Sequence, residues 1–258
     1  MVKAVFFDID GTLVSFNTHK VPESTRDAIR QLREKGIKVF IATGRSRQEL
    51  MVIDGIEFDG YIILNGSYCY TSEGEEIYKK YIPMEDVDNL IKWLKTDTTP
   101  FNFVYADGSF INRINDTVEE VARLVELDAP PVKSEDYASG KEVLQIMGYF
   151  KEGEKQELFS DILPHCEHTR WCPYFTDIIA KGVSKSKGID SVLEYYDIDI
   201  KETMAFGDGG NDISMLKHVA IGVAMENARE DVKAISDYVT KSVDEDGIIS
   251  ALQHFQIL

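Results

Sequence analysis

Residues 5–12 read VFFDIDGT, and two aspartates one residue apart, Asp8 and Asp10, close the apolar run. Carboxylates are costly at the end of a buried strand unless a cation or a hydrogen-bond donor compensates them. Two more aspartates, Asp208 and Asp212, stand in GDGGND at 207–212. Brought together unpaired, the four would repel, and some would protonate. A divalent cation removes the conflict. Hard oxygen donors suit Mg2+, which takes a few carboxylates and keeps waters and a substrate phosphate. Asp8 could then attack phosphorus and form an aspartyl-phosphate. Asp10 could protonate the leaving oxygen and later activate water. Thr43, in TGR at 43–45, offers a hydroxyl to a phosphoryl oxygen. A lysine must offset charge on the transferring group. SKSKGID at 184–190 supplies Lys187 as the preferred candidate, with Lys185 second. The sequence carries no Walker loop and no kinase signature set, so a nucleotide phosphate cradle is not indicated.

These loops need strands to hold them. Val2–Phe7 is a nearly continuous apolar run, as expected of a strand buried on both faces. VPESTRDAIRQLREKG repeats Ala28, Ile29 and Leu32 at helical spacing, with Pro22 suited to a first turn and Gly36 to a stop. IKVFIATGR is a second strand, a short helix pattern starts near Ser46, and YIILN is a third strand. The alternation predicts a parallel α/β sheet with right-handed crossovers. Ligands in such sheets sit beyond the carboxyl ends of the strands, so the loops at 8–12, 43–45 and 207–212 are expected to converge. The middle of the chain groups hairpin signals such as NFVYADGSFINRI with helical stripes such as PMEDVDNLIKWLK and DTVEEVARLVEL. EGEKQELFSDIL also reads as a helix. After about residue 183 the strand–helix rhythm returns. The expected organisation is an α/β core from residues 1–82 and 183–258, interrupted by an α+β insert at 83–182.

Composition bounds the partners. The 258-residue chain carries a formal net charge of −17, which argues against nucleic acid and anionic membrane surfaces. Three cysteines without a CxxC pair fit a reducing cytosol, and no apolar run is long enough to cross a bilayer. The N-terminal run is too short for a signal peptide and is interrupted by Asp8. The expected setting is cytoplasmic. No coiled coil or interface stripe indicates a protein partner.

Plainer readings compete at each residue. Asp-Gly pairs form turns, Thr43 could cap a helix, and Asp212 could cap the next one. Arg45 is expected to pair with an acidic neighbour rather than to act in catalysis. Asn65-Gly66 reads most simply as a tight turn ending a core strand, at the edge of the site. In PHCEHTRWCPYF, residues His165, Cys166, His168 and Cys172 match no standard zinc spacing. Arg170 and Trp171 in the same stretch form an Arg–aromatic pair that could meet a sugar hydroxyl or ring face; an ordinary exposed strand is the competing reading.

Together, DIDGTL, the strand-terminal Thr43, Lys187 before Gly188, and GDGGND resemble the four motifs of the haloacid dehalogenase (HAD) superfamily, in the same order along the chain. The insert resembles the C2B cap of the Cof-like type IIB branch, which includes many sugar-phosphate phosphatases. The resemblance implies a Rossmann-like core with a C2B cap that closes over it. It makes Asp8 the nucleophile and a metal ligand, and Asp10 the acid/base, which also gives its backbone carbonyl to the metal. Asp208 becomes a metal ligand, and Asp212 supports the metal. Thr43, Gly44, Lys187 and Asn211 become phosphate-binding. The implied function is a Mg2+-dependent phosphatase acting on small phosphate monoesters, hexose phosphates among them. A phosphosugar mutase of the same superfamily is the alternative, followed by a non-catalytic ligand-binding module.

Overall fold

The computed structural model describes residues 1–124, 128–170 and 173–258. Its strands are β1 (Ala4–Phe7), β2 (Lys38–Ala42), β3 (Gly60–Ile63), β4 (Tyr68–Thr71), β5 (Glu76–Lys79), β6 (Phe101–Tyr105), β7 (Gly108–Ile111), β8 (Gln145–Gly148), β9 (Cys166–Thr169), β10 (Thr176–Ala180), β11 (Thr203–Gly207), β12 (Ile221–Ala224) and β13 (Tyr238–Val239). The α-helices are α1 (Glu23–Glu34), α2 (Met84–Trp93), α3 (Asp116–Leu124), α4 (Lys185–Tyr196), α5 (Ile213–Leu216), α6 (Glu230–Lys233) and α7 (Gly247–His254). The chain divides into two compact units, Met1–Tyr78 with Ser184–Leu258, and Lys79–Val183.

The first unit holds an eight-stranded sheet in the order β13-β12-β11-β1-β2-β3-β4-β5. It is parallel from β13 to β3, and β4 runs antiparallel to β3. Every residue of β1 is fully buried, because both faces are covered. On one face Val5 and Phe7 pack with Ala28, Ile29 and Leu32 of α1 and with Ile248, Ala251 and Leu252 of α7. On the other, Ala4, Phe6 and Phe40 pack with Ile189, Val192 and Leu193 of α4. This two-sided burial is why the sequence shows apolar runs instead of alternation.

Aromatic stacking pins the register. Phe7 stacks on Phe206 at 5.2 Å between centroids, and Phe6 on Phe40 at 5.0 Å. A one-residue slip of β1 would exchange these faces and move Asp8 off the strand end. The strand order reverses at β1, since the chain proceeds β1-β2-β3 to one side and β11-β12-β13 to the other. That reversal opens a crevice at the carboxyl ends of β1, β2 and β11.

The second unit is α+β. Its five strands pair antiparallel wherever their register is defined, in the order β7-β6-β8-β10-β9. Val87, Leu90 and Ile91 of α2 pack against Phe101, Phe103, Phe110 and Ile146. The helix expected in EGEKQELFSDIL shrinks to one π-type turn at Leu158–Ile162. The cause lies just upstream, where Gly153 and Lys155 take left-handed φ values of 83° and 56°, which a helix cannot continue. Val125, expected on the α3 stripe, lies outside the described residues.

Candidate active site

The parallel register places the site. Phe7 stands opposite Phe206 on one side and Ile41 on the other, so the next residues of all three strands emerge together. Asp8 leaves β1, Asp208 follows β11 and Thr43 follows β2. The loop after β1 is tight. Gly11 adopts φ 78°, and a Cβ there would lie 2.2 Å from Asp208 Oδ2, so only glycine lets this backbone pass the carboxylate.

Asp8, Asp208 and Asp212 offer oxygens that all lie within 4.8 Å of one another. Lys185 Nζ, fully buried, donates to Asp8 Oδ1 at 2.6 Å and to Asp212 Oδ1 at 2.5 Å. Asp212 Oδ2 accepts the backbone N–H groups of Asp208 and Gly209 at 2.9 and 2.8 Å. Asp212 is therefore both the brace of its own loop and a member of the cluster. Thr12 Oγ1 donates to Asp208 Oδ1 at 3.2 Å.

The electrostatics are unbalanced. Three carboxylates face one ammonium, so full ionisation would leave two negative charges in excess in a largely buried space. Burial raises the Asp8 carboxyl above the ordinary range, and repulsion from Asp212 and Asp10 adds to the rise. Asp208 is raised for the same reason, by burial first and then by Asp8 and Asp212. Burial works against the Lys185 ammonium, but Asp212 and Asp8 outweigh it and hold the ammonium charged. A divalent cation bound by hard oxygens would cancel the excess, so the donor set fits a metal ion of that class.

Asp10 is handled differently. Arg45 grips both its oxygens, Nε to Oδ2 and Nη2 to Oδ1, each at 2.8 Å. Arg45 Nη1 is anchored on the backbone carbonyl of Glu49 at 2.9 Å, and the Glu49 side chain accepts from Ser46 N. The expected pairing of Arg45 with an acidic neighbour is present. Because that neighbour is Asp10, Arg45 belongs to the site, a consequence the sequence reading missed. The available signal was its place in the same short loop as Thr43.

Thr43 is buried, and its Oγ1 accepts from Arg45 N at 3.1 Å; Gly44, half-buried, lies between them. Asn211 Nδ2 donates to Asn65 Oδ1 at 3.1 Å. Lys187 is a correction. It is exposed; its backbone N–H donates to the Ser184 hydroxyl at the helix start and its carbonyl accepts from the Ser191 hydroxyl. The lysine that reaches the carboxylates is Lys185, the residue ranked second, because two positions along a helix turn side chains to roughly opposite sides.

Arg170, singled out in the sequence, is tied to carbonyls of the insert itself. Arg170 Nη1 donates to the carbonyls of Phe150 and Phe175 at 2.9 and 2.7 Å. Trp171 and Cys172 lie outside the described residues. His165 pairs with Asp86, Cys166 is buried and His168 stacks on Phe159.

A doubly wound sheet with buried strand-end aspartates and one buried lysine defines a phosphoryl-transfer enzyme of the HAD type. Comparison with known proteins agrees: the haloacid dehalogenase-like hydrolase family matches residues 5–252, and the chain belongs to that family. It is 34% identical to the putative phosphatase YkrA of Bacillus subtilis, over 99% of this chain and 98% of that one. It is 27% identical to the 5-amino-6-(5-phospho-D-ribitylamino)uracil phosphatase YcsE of the same organism, over 98% of this chain and 96% of that one. Among solved structures, the HAD subclass IIB sugar phosphatase BT4131 superposes over the whole of both chains with a TM-score of 0.91 at 45% identity. The protein is a HAD-type phosphatase, an enzyme class that uses a metal ion and takes small phosphate-bearing molecules. Among the described residues, no helix is long and apolar enough to cross a membrane.

Proposed function

We propose that this protein is a Mg2+-dependent phosphatase that hydrolyses small phosphate monoesters, sugar phosphates foremost, through an aspartyl-phosphate on Asp8. The observation that carries the reading is the cluster of Asp8, Asp208 and Asp212 around Lys185, three carboxyl groups for one ammonium. Asp8, Asp208 and the Asp10 backbone carbonyl would hold the cation. Asp212, whose oxygens already serve Lys185 and two amides, supports it from behind. When bound, Mg2+ supplies the positive charge that lets an anionic phosphate approach the aspartates.

The chain's own residues carry the reaction. The Asp8 carboxylate attacks phosphorus, and the bond from phosphorus to the leaving oxygen breaks. Asp10 gives its proton to that oxygen and then takes one from the water that attacks the phosphoenzyme. This releases inorganic phosphate and restores both carboxyls. Arg45 fixes the plane of the Asp10 carboxyl, and one of the two oxygens it holds must be released to carry the proton that Asp10 donates. Lys185, Thr43, the Gly44 backbone and Asn211 surround the phosphoryl oxygens. The preference for sugars rests on likeness to the sugar phosphatase BT4131. We read the unit Lys79–Val183 as the cap. A cytoplasmic setting fits the buried free thiols of Cys69 and Cys166.

The test is phosphate release from a panel of sugar phosphates and other monoesters, with Mg2+ and with excess chelator. The expected result is metal-dependent release that favours particular sugars. Isomerised sugar phosphate with little free phosphate would replace this reading with a mutase.

A further inference from the structure

Three consecutive residues after β3 take left-handed backbone angles: Leu64 at φ 51°, Asn65 at 55° and Gly66 at 102°. Such a run is costly, most of all for leucine, and persists only where surrounding contacts impose it. Those contacts reach three other parts of the phosphoryl site: the Thr43–Arg45 loop, the start of α4 and Asn211. Leu64 N donates to Arg45 O at 3.1 Å and Asn65 N to Thr43 O at 3.0 Å, which ties down the Thr43–Arg45 loop. Gly66 lies flush against the start of α4, where a Cβ would fall 2.1 Å from Ser184 O and 3.3 Å from Lys185 N. The Asn65 side chain, 2% exposed, accepts the Asn211 amide across 146 residues of sequence.

We infer that Asn65 is a positioning residue for phosphoryl binding: its carboxamide oxygen aims the Asn211 side chain, and its turn locks the Thr43–Arg45 loop and the Lys185 helix to one another. The inference rests on the proposed role of Asn211 toward phosphate. It goes beyond a turn of convenience, since glycine would form the same backbone with less strain. What asparagine adds is the side chain, and that side chain is directed at Asn211.

This separates backbone from side chain experimentally. Asn65→Gly keeps the left-handed turn accessible and removes the side chain with its carboxamide, so it is expected to fold and melt close to wild type. Its inhibition constant for inorganic phosphate should rise about tenfold, with a matching fall in kcat/KM on p-nitrophenyl phosphate. Asn211→Ala should give the same change. The double variant should be no worse than Asn211→Ala alone, because the first residue acts through the second. Normal phosphate inhibition in Asn65→Gly, or losses that add in the double variant, would overturn the inference. If Asn65→Gly does not fold, Asn211→Ala still decides: unchanged phosphate inhibition leaves nothing for Asn65 to position. Wild-type protein that releases no phosphate from any monoester would instead remove the phosphatase reading. An active wild type beside an indistinguishable Asn65→Gly removes only this inference.

Discussion

Both units of the molecule bury aspartates completely, and they do so to different ends. In the insert, Asp86 in the first turn of α2 is wholly enclosed. Its oxygens accept the His165 backbone N–H at 2.9 Å, meet His165 Nδ1 at 2.8 Å and accept the Cys166 thiol at 3.4 Å. Among the described residues, its side-chain partners come from one segment, His165–Cys166, and none is another carboxylate. In the core, Asp8 and Asp212 share a single lysine while Asp208 stands within reach of both. A carboxylate satisfied by donors is a structural tie. Carboxylates pressed against one another are held in an arrangement that folding alone does not favour, and such arrangements gather at functional sites. The comparison shows that burial by itself does not mark the site; unrelieved repulsion does.

The sharpest way to break this contrast is to remove one carboxylate from each side. Asp8→Asn should lower kcat by at least about 10^4-fold while the protein remains folded, as judged by circular dichroism. Substantial residual turnover would contradict its proposed role as nucleophile. Lys185→Met should lower kcat/KM by about 10^2–10^3-fold, whereas Lys187→Met should stay within about twofold of wild type. Equal effects of the two would undo the correction made by the structure. Arg45→Lys keeps the charge but loses the two-pronged grip on Asp10. It should lower kcat by about tenfold with KM little changed, measured on an alkyl phosphate, where leaving-group protonation matters most.

The insert should respond in stability rather than rate. Asp86→Ala leaves the His165 amide and the Cys166 thiol without their acceptor and should cost about 2–3 kcal/mol in chemical denaturation. Turnover per folded molecule should change by less than about twofold, a small effect by the standard of variants that leave active sites intact. A large loss of turnover would make Asp86 functional and erase the distinction between the units.

The smallest expected effect is a pH dependence confined to the core. Asp8 and Asp208 are raised to about 7 and about 9 in the metal-free fold, against an ordinary carboxylate value of 3.8. A raised carboxyl binds its proton more tightly when folded. Its contribution to stability is therefore complete below about pH 4 and lost as pH climbs through the folded values. Melting temperature measured in chelator should fall between about pH 5 and 9. Added Mg2+, which favours the ionised carboxylates, should restore most stability at the alkaline end. A metal-free melting temperature that rises over this interval would show that the aspartates are not mutually repelled.

Much of the core was legible because its evidence is local. Apolar runs mark strands buried on both faces, Pro22 and Gly36 bracket the expected α1 region, and each acidic loop follows a strand directly. In the insert, the Asp-Gly hairpin between β6 and β7 was equally readable, and Phe103 pairs with Phe110 across it. The π-type turn at Leu158–Ile162 was not, since an apolar stripe does not show that the backbone ahead of it has turned left-handed.

What the sequence by itself determined is the chemical inventory and its order: four aspartates, a threonine and a lysine-bearing helix start, each next to a strand or helix that could hold it. The tertiary structure decided which of these groups meet. Lys185 rather than Lys187 reaches Asp8 and Asp212, because α4 turns side chains two residues apart by about 200° and only one of them can face the crevice. Arg45 grips Asp10, and Asn65 receives Asn211, across 35 and 146 residues. Such contacts depend on sheet order and helix phase, and those are settled by packing both faces of β1 at once, a property of the assembled fold and of no single stretch of chain.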